Sequence, residues 1–204
     1  MPRILAVCTG TAQPVPGKSF KSGIYKTPTD APTMVDREGL IGDAICNRKH
    51  HGGPDQAVYV LGSIDHNWWS AELGRELAFG TFGENLVIED VDSRAISVGD
   101  RFEAGTVLLE VTSARIPCAT LAARMGDPQF VRRFAAAGRP GFYCRVLRDG
   151  VIGVGDEVRY LPFDGEAVTM PELLSTFGRN LSDEDRARYL AAPINDRLRA
   201  ALTG

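Results

Sequence analysis

The chain has 204 residues, 44% apolar and 24% charged, with a formal net charge of −3. That size and balance describe a globular protein that buries a core without staples. They exclude a strongly basic nucleic-acid binder and a protein drawn by its global charge to an anionic membrane.

No stretch is long enough to span a bilayer, and the apolar run from Ile4 to Cys8 is too short for a secretory leader. The four cysteines, at 8, 46, 118 and 144, are widely spaced and form no CxxC pair. A reducing, cytoplasmic setting is therefore expected, without a zinc knuckle or a disulfide framework.

Arg3 to Cys8 reads as an opening strand. Thr9 to Lys26, rich in Gly, Pro, Ser and Lys, reads as a loop holding Lys18, Lys21 and Lys26 close together. Those lysines are either a solvated surface or an anion-binding rim. Thr33 to Asp36 reads as a short strand, and Leu40-Ile-Gly-Asp43 is the first of three similar turns, with Ser97-Val-Gly-Asp100 and Gly153-Val-Gly-Asp156. In each, Gly permits a positive φ and Asp can cap backbone amides. His50-His51-Gly52-Gly53-Pro54 is a sharp turn before a strand over Gln56 to Val60. Neighbouring histidines on a strand face opposite ways, which argues against a metal pair there. Gly52 and Gly53 would let a ligand approach the backbone.

Ser63 to Leu77 has helical spacing, with Ile64, Trp68, Leu73 and Leu77 toward one face. In the turn Phe82-Gly-Glu-Asn85, Glu84 and Asn85 either cap backbone groups or hydrogen-bond a bound heterocycle. Short strands are expected at 86–88, 107–112, 142–147 and 158–161, and no repeated strand–helix units appear. Three turns and these strands predict a β-barrel or sandwich. Pro117 cannot donate to a ladder, so the strand from Val107 should stop before it. That leaves Cys118 at a strand exit, ahead of a helical segment from Ala119 to Met125, with Arg115 three residues behind. A thiolate is a nucleophile and a soft-metal ligand, and a nearby guanidinium favours it, although most lone cysteines are small buried hydrophobes.

Asp164 to Glu166 reads as a linker, dividing residues 1–163 from a helical extension over 164–204. Thr169-Met-Pro-Glu172 is a capping box with Pro in the first turn, Ser182-x-x-Asp185 starts a second helix, and a third runs from about Asn195 to Leu202. The three short helices are expected to share little core with the rest.

Six motifs stand in order: Gly39-Leu-Ile-Gly-Asp43, His51-Gly-Gly-Pro-x-x-Ala-Val58, Phe82-Gly-Glu-Asn-Leu86, Val98-Gly-Asp100, Arg115-Ile-Pro-Cys118 and Gly141-Phe-Tyr-Cys-Arg-Val146. Together they resemble the MOSC family, named after the C-terminal domain of molybdenum-cofactor sulfurase. The lead-in Gly17 to Lys26 and the helical tail resemble its stand-alone bacterial branch. The resemblance implies a mainly β fold, a closed antiparallel barrel with inserted helices and a small C-terminal three-helix module. It also implies a bound molybdenum cofactor, with Cys118 as the molybdenum ligand.

Because a pterin dithiolene already holds the metal, the protein need supply only one soft ligand and an open position. Lys18, Lys21, Lys26, Arg115 and Arg145 are then candidates for the cofactor's phosphate, with Gly52 and Gly53 at its approach. Glu84 and Asn85 are candidates for the ring edge, and His51 for orienting the site or donating a proton. The chain departs from many relatives at Ala119-Thr120, where a bulky or basic residue is common, which implies a wider pocket or one cofactor contact fewer.

The implied activity is reduction of N-hydroxylated bases or amines, such as hydroxylaminopurines. The sequence holds no Rossmann fingerprint and no iron–sulfur cysteine cluster, so electrons are expected from a separate flavoprotein reductase. The alternative is a carrier of sulfur, as a persulfide on Cys118, or of the cofactor itself, with the tail as docking surface.

Overall fold

The computed structural model describes residues 1–46 and 52–204. The His50-His51 pair, and with it the candidate His51, lies outside the described residues. In chain order the strands are β1 (Ile4–Gly10), β2 (Gln13–Pro14), β3 (Lys21–Ser22), β4 (Lys26–Thr29), β5 (Thr33–Asp36), β6 (Gly39–Leu40) and β7 (Val58–Gly62). Helix α1 (Ser63–Glu72) and β8 (Leu86–Ile88) follow, then β9 (Arg101–Ala104), β10 (Val107–Ala114), α2 (Ala119–Met125) and α3 (Phe130–Ala137). The chain closes with β11 (Phe142–Arg148), β12 (Gly150–Ile152), β13 (Val158–Leu161), α4 (Met170–Thr176), α5 (Asp183–Ala191) and α6 (Asp196–Thr203).

The expected closed antiparallel barrel is not what forms. Helix and strand are nearly equal, at 28% and 30%, and the main sheet is open, in the order β13-β9-β10-β11-β7-β8-β1-β4. One pair in it, β7 with β8, is parallel, which requires the crossover that α1 supplies. The edge strand β4 carries Pro28, a residue that sheets tolerate at an edge because it has no ladder donor. At the other edge only an Arg3–Glu157 bridge and its flanking hydrogen bonds bring β13 toward the start of β1. Two small sheets, β12-β5-β6 and β2-β3, complete the strands.

Strand β7 explains the layering. All five of its residues are buried, and alternation sends Val58 and Val60 to one face and Tyr59 and Leu61 to the other. Val58 and Val60 join the larger core with Phe102, Val111 and Phe142. Tyr59 and Leu61 join a second core around Trp69, Phe82, Phe130 and Phe134. Trp69 stacks on Phe134 with centroids 5.4 Å apart and lies 5.3 Å from Phe130. The i,i+4 pair Phe130 and Phe134 thus defines α3, an element the sequence reading did not identify.

Helix α1 is shorter than expected and turned on its axis: Asp65, His66 and Trp69 are buried, while Ile64 is exposed. Asp65 decides the turn. Its carboxylate accepts the Ser93 N–H at 2.8 Å and an Arg139 N–H at 3.1 Å, and that pair is satisfied only on the inner side. Burial still pushes the Asp65 carboxyl upward against those hydrogen bonds.

The tail helices start where their caps predict: Thr169 and Glu172 form a complete capping box, and Ser182 and Asn195 cap the next two. They do share the core, however, because Val168, Met170, Tyr189, Ala192 and Ile194 are buried with Ile96 and Val98. Among the described residues no helix is long and apolar enough to cross a membrane.

Candidate functional site

Strand β10 ends at Ala114, and Arg115-Ile-Pro-Cys118 runs without regular structure into α2, whose N-cap is Cys118 in an extended conformation. A register shift between Val111 and Ser113 disturbs the pairing with β11 just before this exit. Such irregularities re-aim side chains, and here they precede the two residues of greatest chemical interest.

Cys118 is half-buried and lines a cavity of about 140 Å³. The 20–24 and 43–46 segments form its outer wall, with Tyr59, Asn85, Arg115 and Tyr143 within. Gly23 makes the wall close: a β-carbon there would collide with the carbonyl of Ala44. Among the described lining residues the charges are Lys21, Lys26 and Arg115 against the single carboxylate of Asp43.

Asp43 and Asn85 hold the floor. Antiparallel pairing sets Gly10 opposite Lys26. Asp43 accepts the Gly10 N–H through Oδ1 at 2.9 Å, and through Oδ2 it accepts Asn85 Nδ2 at 2.9 Å and pairs with buried Lys26. Asn85 also accepts the Tyr59 N–H at 3.1 Å and donates to the Cys8 carbonyl at 3.3 Å, so it ties β1 to β7. The first Gly-Asp turn is therefore part of the site. The other two are structural: Asp100 accepts Ser97 N–H and Tyr160 O–H, and Asp156 accepts Gly153 N–H.

Arg115 differs from every other cation of the site. It is only 4% exposed, and its Nη1 has no hydrogen-bond partner among the described residues. The guanidinium lies 5.0 Å from the Tyr59 ring and 5.6 Å from the Phe134 ring. Burial opposes its charge, yet Tyr59, Tyr143, Cys118 and Glu84 around it shift its pKa upward on balance. Burial likewise raises the phenols of Tyr59 and Tyr143 against the pull of Arg115, so both stay protonated donors. Tyr59 spends its proton on the Pro140 carbonyl at 2.9 Å.

The structure gathers Cys118, Lys21, Lys26, Gly52, Asn85 and Arg115 around one cavity. Lys18 and Gly53 are not among its lining residues. Glu84 is fully buried and accepts the Gly80 and Phe82 N–H groups at 2.6 and 2.9 Å, the capping role. Burial pushes its carboxyl up. Arg145 faces elsewhere: it pairs with Asp55 at 3.0 Å and donates to the Pro193 and Ile194 carbonyls, which clamps the tail. Asp43, Tyr59, Gln56 and Tyr143 were not read as site residues from the sequence. Asp43 and Tyr143 stand inside two of the six motifs, which is the signal that could have found them, whereas Gln56 and Tyr59 are identified only by their neighbours in space. Cys8 and Cys144 are buried, with Cys8 pushed up to about 12 and Cys144 raised well above the ordinary thiol range, both chiefly by burial, as inert thiols would be.

A profile described as "MOSC domain" matches residues 47–159. The chain is 34% identical over 145 residues to the uncharacterized protein YflK of Bacillus subtilis, covering 71% of this chain and 66% of that one. It is 34% identical over 149 residues to a protein of Gibberella moniliformis named "Reductase", spanning 26% of its length. It is 29% identical over 149 residues to YiiM of Escherichia coli, spanning 66% of it. In fold it resembles YiiM of Geobacillus stearothermophilus, with a TM-score of 0.81 at 23% identity over 100% of this chain and 98% of that one.

Proposed function

Because the chain belongs to the MOSC domain family, we propose that it is an oxidoreductase which holds a molybdenum cofactor beside Cys118 and reduces N-hydroxylated bases or amines. The observation that carries this reading is Arg115: a buried guanidinium whose Nη1 has no partner among the described residues, in a cavity whose described charges are three cations and one carboxylate. Burying an unpaired charge is costly, and an anionic ligand removes the cost. The donor set fits the group. Cys118 offers a soft ligand at the exit of β10, while Arg115, Lys26 and Lys21 offer charge-assisted bonds to a phosphate. The fungal relative named a reductase supports the reaction class.

When bound, the cofactor supplies two-electron chemistry at a metal that accepts oxygen. The overall change is hydroxylamine plus two electrons and two protons to amine plus water. The chain contributes position: Asp43, itself held by Asn85, fixes Lys26, Arg115 neutralises the anion, and Tyr143 keeps a phenolic proton on the cavity wall near Cys118.

The test is molybdenum and pterin content of protein purified from a cofactor-replete host, beside Cys118→Ser. Near-stoichiometric molybdenum that disappears in the variant, with thermal unfolding little changed, is the expected result. Molybdenum retained by Cys118→Ser would sink the ligand assignment. Electrons come from a separate protein, so substrate with NAD(P)H alone should give no turnover, and adding a flavoprotein reductase should start it.

A second reading has one observation in its favour: Cys46 lines the same cavity as Cys118. Two thiols lining one cavity suit a sulfur carrier. Mass spectrometry of the intact protein for a persulfide on Cys118, absent molybdenum, would favour that reading.

A further inference from the structure

A second, larger cavity of about 780 Å³ opens on the other side of Cys118, between the exit of β10 and helices α4 to α6. It meets the smaller one at Gln56, Cys118, Thr120 and Tyr143. Its walls are mainly apolar, with Ile116, Leu173, Phe177, Leu181, Leu198 and Leu202 contributed largely by the tail. Phe177, between α4 and α5, is 65% exposed and lines the same walls.

Two polar features stand out against these walls. Ser113 is 5% exposed, lines the groove, and its Oγ has no hydrogen-bond partner among the described residues. Arg179 and Arg197, both exposed, are its only described charges, and no carboxylate lines it. Arg197 donates to Gln56 Oε1 at 3.2 Å and acts electrostatically on Tyr143, which links it to the Cys118 end. Concave, mostly apolar walls with a few polar groups, at this volume, are the usual form of a small-molecule site.

We infer that this groove seats the substrate, and that the substrate is an N-hydroxylated aromatic compound carrying an anionic group, carboxylate or phosphate, remote from its N–O bond. The inference rests on Cys118 marking the reaction centre. The N–O group lies at the shared wall beside Cys118. The flat apolar body runs between the tail leucines under Phe177, and the anion meets Arg179 and Arg197. The tail is then the specificity element, and the cofactor's phosphate keeps to the smaller cavity.

The probes are 1-anilinonaphthalene-8-sulfonate, a fused-ring aromatic amine with an anionic group, and neutral N-phenyl-1-naphthylamine, which lacks it. Both brighten on leaving water. Full-length metal-free protein is titrated with each, with two variants at exposed groove positions, Ala201→Trp to fill the groove and Arg179→Gln to remove charge.

Ala201→Trp should weaken both probes at least about tenfold. Arg179→Gln should weaken the sulfonate about two- to fivefold and leave the neutral probe unchanged. In the cofactor-loaded enzyme with reduced viologen as electron source, Ala201→Trp should raise KM for an arylhydroxylamine carboxylate and leave that for hydroxylamine itself unchanged. Parent-like binding of both probes by Ala201→Trp, or equal losses of the two probes in Arg179→Gln, would overturn the inference. The titrations use metal-free protein, so a failure to find molybdenum would defeat the cofactor reading and leave their result standing.

Discussion

The two walls that meet at Cys118 are built by opposite means. On the side of β1 and β4 the lining is a polar network in which Asp43 binds Lys26, Asn85 and the Gly10 amide at once. On the side of α4 to α6 it is mainly leucines and an exposed phenylalanine, with Arg179 and Arg197, and from β10 the Ser113 hydroxyl, which has no partner among the described residues. The first wall selects by charge and fixes its groups by mutual hydrogen bonds. The second selects mainly by shape, with Arg179 and Arg197 as its described charges, and its apolar contacts are non-directional. A network of the first kind fails all at once when a member is removed, whereas an apolar wall loses a little with each side chain.

Asp43→Ala should therefore have the largest effect. It strands a Lys26 ammonium whose side chain is 8% exposed, and leaves the Gly10 and Asn85 donors unsatisfied. A loss of about 3–5 kcal/mol in denaturant unfolding is expected. A loss below about 1 kcal/mol, the scale of an exposed ion pair, would break the comparison.

Arg115→Met sharpens it from the other direction. Arg115 makes no ion pair among the described residues and its Nη1 is unsatisfied, so stability should hold or rise by about 1 kcal/mol. Molybdenum retention should fall at the same time. A strongly destabilised variant would mean the guanidinium serves the fold and not a ligand.

The smallest effect is on pH dependence, and its sign differs between the two sides. Burial raises the Glu84 carboxyl above its ordinary 4.5. The folded chain then holds that proton longer than the unfolded chain, so stability declines as pH climbs from 4.5 toward the folded pKa. Glu84→Gln should flatten that decline. Glu172, in the tail, is pushed up by burial but brought below 4.5 on balance by hydrogen bonds from Arg188 and Tyr189. Its contribution is present above 4.5 and fades as pH falls through the folded value, and Glu172→Gln should remove that acid loss. Unfolding midpoints of both variants across pH 3 to 7, roughly the window in which carboxyls titrate, measure the two slopes.

What the sequence determined is mostly local. Strands β5, β8 and β13 and helix α2 fall where their residues place them, because β-branched runs, turn glycines and Pro117 act within a few positions. The caps at Thr169, Ser182 and Asn195 likewise act within one helical turn. Six short motifs, each fixed by such local demands, were enough to place the chain in its family and to single out Cys118. The Gly-Asp turns read alike in sequence because each needs a positive φ at glycine, and all three have it.

Tertiary structure decided the rest, because those choices depend on what lies across space. Whether the sheet closes depends on edge pairing, and no local signal opposes β13 to β4 or runs β7 parallel to β8. The face α1 presents was set by Asp65 finding Ser93 and Arg139, partners 28 and 74 residues away. Of five basic candidates for an anion, Arg145 went to the tail, where it pairs with Asp55, and Lys18 stayed off the cavity lining, while Arg115 was buried with no ion pair among the described residues. Charge is written in the sequence; which charge is left unpaired is settled only by the neighbours that folding brings to it.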